Sequence, residues 1–275
     1  MHLNNRFQET DPAVTVKTAH WNRSGTKTEE ETVVLREHVF EIYINDTLTM
    51  RLVCTPAALP ELAVGRLKTE GIIQTAEDID YLYICEQGLR AKVYLRPDVC
   101  AQQSTQQGMA RGGTYISLTE TCCTDNVVLR DDFVTAEAYP VMPEAVWEPA
   151  WVYRAAKTFF DADTPLHRRT SSTHSAFLIA GGEILCTAED IGRHNALDKV
   201  IGYGLLNGIS MEKCCVFTSG RVPVDVAKKA LRAGIPVLIS KERPTDDAVK
   251  LAQAHGLTII GRAREDSFDV YGELT

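Results

Sequence analysis

The stretch Cys214-Cys-Val-Phe-Thr-Ser-Gly-Arg-Val-Pro223 reads as a strand, a turn and the start of a helix. The run Cys214 to Thr218 is too short for a helix and too apolar for a loop, so it is a buried-type strand. A helix then runs from Pro223 to Ala233, with Pro near its first position and Gly234 just beyond its end. The alternation continues downstream. Pro236-Val-Leu-Ile-Ser240 is a strand, Thr245 to Ala254 a helix stopped by Gly256, and Leu257-Thr-Ile-Ile260 a further strand. Phe268-Asp-Val-Tyr271 closes the series as a short last strand. Strands and helices at this spacing imply βαβ crossovers, a largely parallel sheet and an α/β fold class.

Upstream, Ala176-Phe-Leu-Ile-Ala180 and Glu183-Ile-Leu-Cys186 form a hairpin around Gly181-Gly182. A helix follows from Gly192 to Leu206, with Asp190 as its expected N-cap and Gly208 at its end. Trp147 to Phe160 is another helix, which sets the start of this domain at residue 140 and its span at 140–275. Residues 31–139 read as a smaller α+β domain. Glu37 to Asn45 and Leu48 to Cys54 are strands joined by an Asn45-Asp46 turn, Pro60 opens a short amphipathic helix ending near Gly71, and 80–85 and 90–95 are strands around Gly88. Residues 1–30 have little periodicity and read as a flexible leader. Residues 100–126 are a long polar loop carrying the vicinal pair Cys122-Cys123.

The composition narrows the function classes. A formal net charge of -8 over 275 residues disfavours broad nucleic-acid binding, which needs excess Lys and Arg. No apolar run approaches the ~20 residues that cross a bilayer, and the polar start Met1 to Asp11 lacks a signal-peptide core. The expectation is a cytoplasmic protein without a membrane role. Eight cysteines are present, but no C-x-x-C, so metal-ligand spacing is missing and no metal site is expected.

Ligands of open α/β sheets bind beyond the carboxyl ends of the parallel strands. Those ends carry Thr218-Ser-Gly-Arg221, Ser240-Lys-Glu-Arg243 and Gly261-Arg-Ala-Arg264. Each offers a small residue and a cation, and the first two lead into helix N-termini, which favour anions. Two readings stand side by side here: a rim for phosphate groups, built from Ser219, Arg221, Ser240, Lys241, Arg262 and Arg264, or loops that use Ser, Gly and Arg for turning and solubility. Neither a Walker A nor a G-x-G-x-x-G motif is present. Asp190, Arg193, His194, Asp198 and Lys199 crowd one helix start; His194 and Asp198 lie four apart, where a carboxylate favours the charged imidazole. The plainer account of that segment is a capped amphipathic helix. His174 precedes a strand, where a lone His is more often structural. Cys214 and Cys215 read as inert core thiols, and Cys122 and Cys123 as exposed ones suited to carrying sulfur. Strain argues against a disulfide between adjacent cysteines.

Several of these stretches together resemble one family. Cys54-Thr-Pro56, Glu61-Leu-Ala-Val-Gly-Arg-Leu-Lys-Thr-Glu-Gly-Ile-Ile73, Glu189-Asp-Ile-Gly-Arg-His-Asn-Ala-Leu-Asp-Lys199, Ser219-Gly-Arg221, Pro244-Thr245 and Phe268-Asp-Val-Tyr271 resemble, in order, the motifs of the formate dehydrogenase accessory proteins (FdhD/NarQ). The resemblance implies a cytidine-deaminase-like three-layer α/β/α C-terminal domain behind a smaller α+β N-terminal domain. It also implies a sulfurtransferase role: a homodimer takes persulfide sulfur from a cysteine desulfurase and hands it to the molybdenum bis-guanine-dinucleotide cofactor destined for formate dehydrogenase. Cys122 or Cys123 would carry the sulfur. His174, Asp190, Arg193, His194, Asp198, Lys199 and the rim residues would bind the cofactor and its guanine nucleotide. The alternative is a cofactor-binding chaperone that has lost sulfur transfer. Three departures bear on the choice. The family loop usually reads Cys-Gly-x-Cys-Gly, whereas this chain has Thr119-Glu-Thr-Cys-Cys-Thr-Asp125; Ser171-Ser172 replaces a Gly-Gly, and Asp266-Ser267 a Gly-Arg. The zinc signature of deaminases is absent, as is the ligand spacing of a metal-dependent hydrolase.

Overall fold

Two six-stranded sheets carry the chain in a computed structural model that describes residues 1–99, 127–128, 139–161 and 164–272. The first half contains β1 (His2–Asn5), β2 (Ala13–Trp21), β3 (Lys27–Leu35), β4 (His38–Ile44), β5 (Thr47–Cys54), α1 (Leu59–Thr69), β6 (Ile79–Ile84), β7 (Arg90–Leu95) and β8 (Val127–Val128). Its sheet runs β1-β6-β7-β4-β5-β8, and β2 and β3 form a separate ribbon. The β4–β5 turn places Asn45 and Asp46 both at positive φ, 47° and 62°, the conformation Asn and Asp tolerate in tight hairpins. One face of this sheet buries Phe40, Ile42, Met50, Leu52, Leu82 and Val93 under α1.

The second half contains α2 (Pro149–Phe160), α3 (Pro165–Thr170), β9 (His174–Ala180), β10 (Glu183–Asp190), α4 (Arg193–Leu206), β11 (Cys214–Thr218), α5 (Val224–Ala233), β12 (Val237–Ser240), α6 (Asp246–His255), β13 (Thr258–Gly261) and β14 (Asp269–Tyr271). Its sheet runs β10-β9-β11-β12-β13-β14. Alternate residues face opposite layers: Leu178, Val216 and Leu238 pack under α4, α5 and α6, while Phe177, Phe217 and Ile239 pack under α2. The Phe177 and Phe217 rings stack at 4.9 Å. The sheet is mixed rather than largely parallel. Only β11–β12 and β12–β13 pair in parallel; β9 runs antiparallel to both its neighbours, and β14 to β13. The Gly181-Gly182 turn, with both residues at positive φ, reverses the chain and fixes the first of these.

Three further expectations need correction. The flexible leader is largely strand: β1 pairs in parallel with β6, and β2 pairs with β3 from Ala13↔Leu35 to Trp21↔Lys27. Both faces of that ribbon are mostly solvated, so its residues show no hydrophobic alternation. Helix α1 is buried on nearly every side, not amphipathic, because α4 covers the face turned away from the sheet. The N-cap of α4 is Gly192; Asp190 ends β10 and accepts the Gly192 N–H at 2.9 Å.

Helices α1 and α4 meet backbone to backbone. A Cβ on Gly65 would lie 1.8 Å from the Asp198 carbonyl oxygen, and one on Gly202 would lie 1.8 Å from that of Glu61. The glycines therefore serve close approach. This crossing joins the two halves and brings the polar side chains of both helices into one dry seam.

Candidate functional site

Two polar centres lie around this junction, one inside it and one at its edge. Inside the seam, Asp190 is fully buried. Its Oδ2 accepts the Thr55 N–H and hydroxyl, each at 3.0 Å, and pairs with Lys199 Nζ at 2.7 Å. Its Oδ1 accepts from Asn195 Nδ2 at 2.9 Å, and that amide also donates to the Val53 carbonyl at 2.8 Å. Lys199 Nζ donates to Thr55 Oγ1 at 2.8 Å. Thr55 and Val53 belong to the first half; the rest belong to the second.

A second cluster continues along α4. Asp198 does not pair with His194. It accepts from Lys229 Nζ at 2.8 and 2.9 Å and from Thr69 Oγ1 at 2.7 Å, with Arg66 at 3.6 Å. Arg66 also pairs with Glu70 at 2.9 Å. His194 Nε2 instead meets Asp225 Oδ2 of α5 at 2.7 Å. Burial, opposed in part by that bond, lowers the pKa of His194, so the imidazole is held neutral rather than charged. Burial works against ionisation of Asp225 too, but the hydrogen bonds from His194 and the Val226 N–H, with the positive charge of Arg193, prevail and lower its pKa. The expectation of an i,i+4 pair with a charged His194 is thus corrected. Side chains from α1 and α5 stand nearer than the helix neighbour.

At the edge, the carboxyl ends of β11 and β12 meet the start of β9. His174 pairs in register with Asp190 and is half-buried. Burial lowers its pKa, followed by the positive charges of Arg193 and Lys241. Ser219 is tied to β9: its Oγ accepts the Ser175 N–H and its own N–H reaches the Ser175 carbonyl, both at 2.9 Å. Ser240 Oγ donates to the Gly220 carbonyl at 2.7 Å and accepts the Glu242 N–H at 2.9 Å, so it buttresses the loop rather than facing outward. A Cβ on Gly220 would stand 3.0 Å from Arg193 Cδ, which places the Arg193 stem directly over this turn. The buried Ser175 hydroxyl has no hydrogen-bond partner among the described atoms. Arg193, His174 and Lys241 therefore converge on a loop of small residues, an arrangement that suits an anion.

The remaining rim cations differ in freedom. The Lys241 ammonium sits 5.0 Å from the Phe159 ring centre. Arg264 lies over Phe160 at 5.2 Å and donates to the Lys241 carbonyl at 2.6 Å, so it braces that loop from behind. Arg262 pairs with Asp269 at 3.4 Å, and Arg221 is exposed. Of the expected cofactor ligands, the structure thus brings His174, Arg193, Ser219 and Lys241 together with Ser240 beneath them. Asp190, His194, Asp198 and Lys199 lie in the seam, engaged with protein.

Cys122 and Cys123 lie outside the described residues, as does the rest of the 100–126 loop. Burial pushes the thiols of Cys186 and Cys214 up to about 11 and that of Cys215 to about 12, and raises Cys54 as well. Such thiols are poor nucleophiles at neutral pH.

A family model described as the FdhD/NarQ family matches residues 35–274. The chain belongs to the FdhD/NarQ family. The match takes in both the seam and the rim; only β1, β2 and most of β3 precede it. Among FdhD/NarQ relatives, a Geobacillus kaustophilus protein named sulfur carrier protein FdhD is 33% identical over 251 residues, covering 90% of this chain and 91% of its own. A protein of the same name from Listeria monocytogenes serotype 4b is 32% identical over 253 residues, covering 90% and 92%. The fold is similar to a crystal structure from Desulfotalea psychrophila described as a formate dehydrogenase accessory protein: TM-score 0.73, 25% identity, 96% of this chain and 98% of that one.

Sequence reasoning missed Thr55, Arg66, Thr69, Asp225 and Lys229 as partners of the FdhD/NarQ motif. Asp225 carried a weak signal, since an acid in the first turn of a helix is favoured there. Nothing local tells that it meets a histidine 31 positions earlier.

Proposed function

We propose that this FdhD/NarQ chain is a sulfur carrier that serves formate dehydrogenase. In this reading a cysteine desulfurase presents a persulfide, the thiolate of Cys122 or Cys123 attacks its outer sulfur, and the desulfurase thiolate leaves. The acceptor is the molybdenum cofactor in its bis-guanine-dinucleotide form, held as substrate before insertion. Delivery of the sulfur as sulfide takes two electrons, supplied by a dithiol. The observation that carries the reading is the meeting of Arg193, His174 and Lys241 over the Ser219-Gly220 turn, in a chain of net charge -8 whose relatives are named sulfur carriers. Such a turn offers donors and positive charge to a nucleotide phosphate. Burial raises the thiols of Cys54, Cys186, Cys214 and Cys215, which argues against these four as the sulfur-bearing group.

The reading includes a cytidine-deaminase-like second half, supported by its three layers and strand order. It also includes a cytoplasmic homodimer; none of the described helices is long and apolar enough to cross a membrane. The test is to incubate the full chain with a cysteine desulfurase and cysteine, then map added sulfur by mass spectrometry. One extra sulfur on Cys122 or Cys123, removed by reductant, is expected. Sulfur confined to Cys54 or Cys186 sinks the assignment. The altered Thr119 to Asp125 loop favours one second reading, a cofactor-binding chaperone without sulfur transfer. It requires that Ala at both Cys122 and Cys123 leave formate dehydrogenase activation intact.

A further inference from the structure

Strands β2 and β3 stand apart from both six-stranded sheets, as a ribbon of two strands. Such a ribbon is marginal in water unless a surface covers it. Its base has one: Ala13 is buried, and Val33, Val34 and Leu35 are half-buried, with β3 packed against α3. The outer half is bare. Ala19, His20 and every residue from Lys27 to Glu31 are exposed, and Trp21 is 64% exposed. The tip is nevertheless a shaped turn, since Asn22 Oδ1 accepts the Ser24 and Thr26 N–H at 3.1 and 2.9 Å.

Register sorts the outer half into faces. Lys17↔Glu31, Ala19↔Glu29 and Trp21↔Lys27 are cross-strand partners, so these side chains share one face. A groove of about 590 Å³ lies along this part of the ribbon, lined by Lys17, Thr18, Ala19, Glu29, Glu30 and Glu31. The charges of the shared face cancel, and their order complements itself when the ribbon is reversed end to end about the His20↔Thr28 pair. Lys27 then stands opposite Glu29, and the indole of Trp21 opposite the small Ala19. Within one copy Lys27 and Glu29 are 3.6 Å apart, too far for a hydrogen bond, and the Glu29 side chain is 86% exposed. A partner of one dominant charge would leave half of these groups unmatched, whereas a second copy supplies both signs in the matching order.

We propose that this face is a contact between two copies of the chain, ribbon on ribbon about a two-fold axis. The axis crosses the strands at the level of His20 and Thr28, so each contact occurs twice, as an isologous interface requires. The partner subunit's Trp21 covers Ala19, and the partner subunit's Lys27 pairs with Glu29. The inference rests on the homodimer reading above and assigns it an interface. Burial of an exposed Trp flanked by a charge pair is the kind of contact on which interfaces concentrate their energy.

The experiment is sedimentation equilibrium on the full chain, from nanomolar to tens of micromolar, with far-UV circular dichroism to show that each variant is folded. Wild type is expected to dimerise reversibly. Trp21→Ala and Lys27→Glu are each expected to weaken the dimer by at least about tenfold. The double variant Lys27→Glu with Glu29→Lys reverses the pair and is expected to return to within about threefold of wild type. A dimer equally tight in Trp21→Ala and Lys27→Glu overturns this interface while leaving the homodimer standing. A double variant as weak as Lys27→Glu alone overturns the Lys27–Glu29 contact, and the two-fold arrangement with it. Wild-type protein that stays monomeric throughout overturns the homodimer reading itself.

Discussion

The seam and the rim use the same residue types to opposite ends. In the seam, Asp190, Asp198, Lys199 and Lys229 are almost wholly buried, and each has protein partners within hydrogen-bond distance. At the rim, Lys241 and His174 are half-buried and Arg221 is exposed, above a turn whose own polar groups are tied back to β9 and β12. Desolvation decides the difference. A buried charge must be paired, and its removal strands the partner, whereas a half-exposed charge stays hydrated until a ligand arrives. One motif from Glu189 to Lys199 supplies both centres, with Arg193 turned to the rim and its helix neighbours turned to the seam.

The hardest test of this contrast is to break the seam. Replacing Lys229 by Met leaves Asp198 buried with only Thr69 and the more distant Arg66, and the loss is expected to be about 3–5 kcal/mol of stability. Urea titration reads it directly; a change below about 1 kcal/mol would mean that the pair is hydrated in solution. Next comes Gly65→Ala. Its new methyl would meet the Asp198 carbonyl at 1.8 Å, and backbone cannot rotate away, so the upper end of the overpacking range applies, about 3 kcal/mol. A thermal melt unchanged from wild type would disprove the helix contact.

Rim substitutions should separate binding from stability. Lys241→Ala and Arg221→Ala are each expected to shift stability by under about 0.5 kcal/mol, because neither side chain is buried. Each is expected to weaken guanosine diphosphate binding by about tenfold, the worth of one charge-assisted contact of about 1.4 kcal/mol. Calorimetry at two salt concentrations sharpens the point, since exposed pairs are screened and buried ones little affected. Equal affinities for variant and wild type would move the nucleotide away from this rim.

Local pattern made most of the fold legible. The β11 to β13 series and the Gly181-Gly182 hairpin follow from short apolar runs and positive-φ residues, and α5 and α6 from their terminal Pro, Thr and Gly. What stayed hidden depends on distant partners. The β2–β3 ribbon has no buried face to print a period on the sequence, and strand direction depends on topology, not composition. The density of charge from Glu189 to Lys199 was visible, but a list of side chains does not say which are desolvated. Gly65 and Gly202 were the missed clue: two glycines inside helices, with no turn to make, mark a place where another backbone presses close.

The smallest effect concerns pH, where both centres respond in one direction. Burial lowers the pKa of His194 in the seam, and burial with neighbouring cations lowers that of His174 at the rim. A histidine whose folded pKa lies below its unfolded value favours the native state while neutral. That contribution is complete above the unfolded pKa of about 6.5 and is lost as pH falls through the lowered folded value. Asp225, also lowered, adds a loss at still more acid pH. The melting temperature should therefore decline from pH 7 towards pH 5. His194→Gln, which keeps a donor near Asp225 without a titrating group, should flatten part of that decline. His174→Gln should flatten less, because the rim is open to water and its histidine is less buried than His194. The reverse ranking would place the stronger desolvation at the rim, and would overturn the division between a dry seam and a hydrated edge.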